Sequence, residues 1–114
     1  MKLLTQPLKL ADLKQIAQAR FGDLVKAVVD IDKKLLVIDA DLHADEEKYL
    51  LESGSGQQSL WGINLYPEKF GSENFIEFDS MINLRPTQNN RSRGIADAKI
   101  RVQIAALVKN LIKS

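Results

Sequence analysis

The stretch LVKAVVDIDKKLLVIDADL, residues 24–42, is rich in β-branched residues and broken by two adjacent lysines, Lys33 and Lys34. β-Branched side chains suit a pleated, half-buried surface, so the stretch reads as two strands around a loop. With the lysines as that loop, Ile31 faces Leu36, Val29 faces Ile38, Ala27 faces Ala40 and Val25 faces Leu42. A slip of one residue would turn every side chain to the other face, so this matching of apolar pairs argues for a hairpin more strongly than the turn does. Lys-Lys lacks the Asn-Gly or Asp-Gly chemistry of two-residue turns, which leaves a slightly longer loop open.

A second alternation follows. LWGINLYP, residues 60–67, sets Trp61, Ile63 and Leu65 against Gly62, Asn64 and Tyr66, and Pro67 stops it. FIEFDSMINLRP, residues 75–86, puts Ile76, Phe78, Ile82 and Leu84 inward and Glu77, Asp79, Met81, Asn83 and Arg85 outward, which predicts a second hairpin. Around the strands stand three helices. Leu10, Leu13, Ile16 and Ala17 recur at helical spacing up to Phe21, with Gly22 just beyond the end. HADEEKYLLESGSG, residues 43–56, brings Asp45, Glu46 and Glu47 to a helix start and closes on Gly54. Ile100, Ile104, Leu107, Val108 and Leu111 form one stripe of a last helix, for which Asp97 is the N-cap. KLLT at the N-terminus reads as a short edge strand ended by Pro7. The expectation is an α+β fold in the order α-β-β-α-β-β-α, one antiparallel sheet of two hairpins with helices on its apolar face. Its other face would be wet and acidic, with Asp30, Asp32, Asp39, Asp41, Glu77 and Asp79 set against Lys26 and Arg85.

A length of 114 residues suits one domain, residues 1–114, and an apolar fraction of 45% with 27% charged residues is that of an ordinary globular chain. Sixteen Lys and Arg against 15 Asp and Glu give a net charge of +1, so nucleic-acid binding would have to come from a local patch. There is no cysteine, which excludes disulfides, thiolate ligands and cysteine nucleophiles. No apolar run has the length of a signal sequence or a membrane span, and the expected location is the cytoplasm.

The stretches LHADEE, LWGINLYPE, FIEFDSMINLRP and NNRSRGI, in this order, resemble an uncharacterised family of small bacterial proteins filed as a domain of unknown function. The resemblance runs from about Phe21 to the last helix and implies a proline after the aspartate that opens it. Here Ala98 follows Asp97, so the cap is kept and the proline signal lost. No activity, cofactor or catalytic residue comes with the resemblance.

Two segments carry chemistry. LRPTQNNRSRGIADAKIR, residues 84–101, gathers Arg85, Asn89, Asn90, Arg91, Ser92 and Arg93 ahead of a helix start, where free N–H groups and bidentate guanidinium contacts could hold an anion, a phosphate or nucleic acid. Asp97 already uses some of those donors, and the spacing is no phosphate-loop fingerprint. The same arginines could instead fold back onto Glu77, Asp79 and the neighbouring acids. The second segment is LHADEE, where His43, Asp45 and Glu46, with Asp41, could partly converge on a divalent ion, although the sole histidine rules out any site needing two. Helix-start chemistry explains the acids equally, and no cofactor is expected. Ser80 and Ser92 have neither a local histidine nor a nucleophile-elbow sequence. The readings are therefore an anion-binding or regulatory module working through Arg85 to Gly94, a small metal-assisted hydrolase or nuclease using His43, and a dimer-forming structural protein without ligand.

Overall fold

The computed structural model describes residues 1–114. The chain runs β1 (Lys2–Leu4), β2 (Leu8–Lys9), α1 (Leu10–Arg20), β3 (Val25–Asp30), β4 (Leu35–Ile38), α2 (His43–Glu52), β5 (Leu60–Leu65), β6 (Ile76–Glu77), α3 (Ala98–Leu111) and β7 (Ile112–Lys113). Five strands form an antiparallel sheet in the order β1-β4-β3-β5-β6, and β2 pairs in parallel with β7 to join the two ends of the chain. The fold is α+β, and none of its helices is long and apolar enough to cross a membrane.

The lysine hairpin closes earlier than a Lys33–Lys34 turn would allow. Val29 faces Leu36 and Ala27 faces Ile38, while residues 31–34 make the loop. Asp30 sets this register. Its Oδ1 accepts the N–H groups of Asp32 and Lys33, both at 2.9 Å, and its Oδ2 accepts the Ser55 hydroxyl at 2.6 Å. The expected outward, solvated Asp30 is thus a buried turn cap. The shift moves each partner by two positions, which preserves the faces, so Val25, Ala27, Val29, Leu36 and Ile38 still point into one core. Ala40 and Leu42 lie past the end of β4, and Val25 instead faces Leu65 across β3 and β5.

Helices cover both faces. α1 and α3 bury Leu13, Ala17, Ile104, Leu107, Val108 and Leu111 against the inward side of the sheet. α2 lies on the opposite side, with Leu50 on Val28, Val37 and Leu60. The expected wet face is therefore half covered. The sequence did carry that signal, because AVV and LLVI are continuous apolar runs of the kind found in strands buried on both faces.

The second hairpin is shorter than its alternation implies. β6 holds only Ile76 and Glu77, opposite Leu65 and Asn64. Beyond Phe78 the chain leaves the sheet, residues 81–83 form a 3-10 turn, and from Asn83 on inside and outside exchange: Asn83 and Arg85, expected outward, are buried and Leu84, expected inward, is exposed, whereas Ser80 is buried and Met81 exposed as the alternation implies. The cause lies on β5. The Asn83 side chain accepts the Gly62 N–H at 2.9 Å and donates to the Gly62 carbonyl at 3.0 Å, so an amide side chain occupies the place of the next strand.

Two stability measurements test this architecture. Ile104→Ala should cost on the order of 2 to 5 kcal/mol in urea denaturation through lost burial and cavity formation, while exposed Lys109→Ala should cost little. A Cβ on Gly62 would stand 2.6 Å from the Ser80 Cβ and Oγ, so Gly62→Ala should cost about 1 to 3 kcal/mol by forcing the 80–83 turn off β5.

Candidate anion-binding site

Of the six residues expected to hold an anion, most are spent on the loop itself. Arg85 lies 4.0 Å over the Trp61 ring and donates to the carbonyls of Gln57 and Leu60 and to the Gln88 side chain. Burial makes its guanidinium less basic than an exposed one. Asn89 occupies the left-handed region, with φ at +59°, and closes a tight turn in which Arg85 and Asn90 exchange backbone hydrogen bonds. Buried Asn90 donates to the carbonyls of Asn83 and Gly94 and accepts the Ala96 N–H. The Ser92 hydroxyl accepts the Gly94 N–H at 3.2 Å. Arg93 binds Asp79 at 2.7 Å, the fold-back onto sheet acids that the sequence left open. Arg91 is exposed.

The His43, Asp45 and Glu46 cluster is divided by its helix. Residues three apart share a face of α2 and residues two apart do not, so His43 and Glu46 turn inward and Asp45 turns out. Asp45 lines an open cleft of about 450 Å3 with Asp39, Asp41 and Arg20, and Arg20 there binds both Asp39 and Asp41. His43 faces the other way and donates through Nε2 to the Ile63 carbonyl at 2.8 Å. Burial lowers its pKa, which leaves the ring neutral with Nε2 carrying the proton. Glu46 is fully buried, and neither carboxyl oxygen completes a hydrogen bond. Burial pushes its pKa up to about 9 against the weaker opposing pulls of the Ala40 backbone amide and Lys26, so the group is protonated at neutral pH. No three His, Asp or Glu side chains are grouped to hold a metal ion.

What the fold does bring together is a second cleft, of about 200 Å3, between the start of α2 and the 79–82 turn. Its walls include Lys26 from β3, His43 and Ala44 from α2, Asn64 from β5, and Asp79, Ser80 and Arg93 from the two loops. α2 has no side-chain N-cap, Leu42 standing at that position, so its first N–H groups are left without a side-chain acceptor beside the cleft. Lys26 approaches the Phe21 ring at 5.2 Å and takes part in no ion pair. Asn64 donates to Glu77 at 2.8 Å, while its carbonyl oxygen lies buried without a donor. Ser80, which has no histidine near it in the sequence, shares the cleft with His43, and its Oγ accepts the Ile82 N–H at 3.2 Å. Arg93 alone of the expected anion ligands reaches this place. Lys26, His43 and Asn64 reach it from three separate elements, and no local pattern of spacing could have joined them.

The chain belongs to the family described as Protein of unknown function (DUF5674), whose model matches residues 2–111. No curated protein and no solved structure matches it.

Glu46 gives this region a measurable signature. Its carboxyl is protonated in the fold up to about pH 9 and ionised in the unfolded chain above its usual pKa of 4.5. The native state thus binds the extra proton between those values, and stability falls as pH rises through that window, with a limiting slope of about 1.4 kcal/mol per pH unit. Glu46→Gln removes the titration. Its melting temperature should decline less than that of the wild type between pH 5 and pH 9; parallel curves would show that Glu46 does not carry the proton.

Proposed function

We propose that the protein is a small binding module for an anionic ligand, held in the cleft between α2 and the 79–82 turn. The observation that carries this reading is the convergence of Lys26, Arg93 and the uncapped start of α2 on one concave place. Each supplies what an anion needs. Lys26 brings a charge that no carboxylate neutralises, the helix start brings N–H groups with partial positive charge, and Arg93 keeps donors beyond those used on Asp79. The cleft is smaller than the roughly 300 to 1,000 Å3 of sites for drug-sized ligands, which favours a headgroup or a metabolite of few atoms over a long polymer. The basic loop thus contributes through Arg93, while Arg85 and Asn90 hold the loop in shape.

Calorimetric titration with acetate and inorganic phosphate, beside a thermal-shift series, tests the reading. Lys26→Ala should weaken anion binding roughly tenfold, the worth of one hydrogen bond to a charged group. Arg91→Ala should bind as wild type. Equal affinities for wild type and Lys26→Ala would remove the cleft as the site, and a loss confined to Arg91→Ala with an oligonucleotide would place binding on the outer loop.

A further inference from the structure

Two of the most exposed large apolar side chains in the molecule stand at this same cleft: Leu42 is 55% exposed and Met81 is 62% exposed, and both are among its lining residues. They sit on opposite walls, Leu42 at the foot of α2 and Met81 at the head of the 81–83 turn, with the partly buried Ile82 beside Met81. Neither side chain belongs to either buried core cluster. Within the lining the charges are few. Arg93 is matched by Asp79 and the His43 ring is neutral, so Lys26 is left as a single uncompensated cation. A phosphate monoester carries close to two negative charges at neutral pH, and a carboxylate carries one. An apolar rim over a floor of one net positive charge therefore fits an amphipathic monoanion.

Building on the anion reading above, we propose that the ligand is a small aliphatic carboxylate, with its carboxylate between Lys26 and the start of α2 and its hydrocarbon chain against Leu42 and Met81. The carboxylate accepts the helix N–H groups and the Lys26 ammonium, and the chain removes from water the apolar surface that the fold leaves exposed at this mouth. Length rather than headgroup then sets affinity within a series of acids.

The test is calorimetry with acetate, butyrate and hexanoate, and with inorganic phosphate as the dianionic comparison. Affinity should rise roughly two- to fourfold per added methylene while the chain reaches the rim, and phosphate should bind more weakly than butyrate. The double substitution Leu42→Ala, Met81→Ala shortens only exposed side chains and adds no acceptor at the start of α2; it should flatten the length dependence and leave acetate affinity where it was. Lys26→Ala should weaken all the acids together, which separates this cleft from adsorption on an apolar surface elsewhere. Acetate, hexanoate and phosphate binding alike, or phosphate binding tightest, would overturn the aliphatic carboxylate and leave the anion site standing. Binding by none of them would remove both. A length dependence untouched by the Leu42 and Met81 substitutions would overturn the assignment of the rim.

Discussion

The Asn83 side chain bonded to both backbone groups of Gly62 is the contact on which the rest of this molecule depends. β5 is hydrogen-bonded along its length to β3, but on its other edge β6 reaches only as far as Glu77. The backbone groups of Gly62 would be buried without partners there, at a cost of about 1 to 3 kcal/mol each. One amide side chain satisfies both and frees the main chain of residues 78–84 to turn away from the sheet. Gly62 is what allows it to come so close, since any side chain at that position would overlap Ser80. Asn83 also donates to the Arg93 carbonyl and Asn90 holds the carbonyl of Asn83, so the later loop is tied to the same point. Asp79, Ser80, Met81 and Arg93 reach the start of α2 because this strand was replaced by a side chain.

Why the sequence disclosed some of this and not the rest follows from the range of the forces involved. The helices around Leu13, Leu50 and Ile104 and the two facing strands of the lysine hairpin are written in local periodicity, which burial on one face imposes on neighbouring residues. Parity survived in the hairpin although its register did not, because a shift of two positions costs nothing in burial and was settled by Asp30 capping the turn. Gly22 and Gly54 announced helix ends through their positive φ, a local demand. Gly62 gave no comparable sign, for its reason lies far along the chain in Ser80, which a Cβ there would overlap. The alternation of FIEFDSMINL continued in letters after it had ended in space. Asn83 there looked like an outward position of a strand, and it is buried because its side chain does the work of backbone.

The arginines make the same point about chemistry. Arg85, Arg91 and Arg93 look equivalent in a list of charges, yet each meets a different fate. Arg85 lies on an aromatic face with its donors on loop carbonyls, a use suited to a planar fork and poorly served by lysine. Arg93 pairs with Asp79 at the surface, where such a bond contributes little to stability and leaves the guanidinium able to share its donors. Arg91 stays in solvent. A basic segment therefore need not make a basic surface, and what decides is how many acceptors the fold places under each side chain.

Glu46 bears on the cleft through Lys26. The two interact electrostatically, and were Glu46 ionised it would offset the charge that the cleft otherwise leaves uncompensated. Burial keeps it protonated up to about pH 9, and its neutrality leaves the charge of Lys26 unopposed at neutral pH. The cost falls on stability, since a buried carboxyl without hydrogen-bond partners is worse for the fold than an apolar residue of the same size. Only above about pH 9 does ionised Glu46 begin to offset the charge of Lys26. An anion beside Lys26 would reinforce the arrangement, because its charge would disfavour a second negative charge near the same lysine and hold Glu46 in its protonated form over a still wider range of pH.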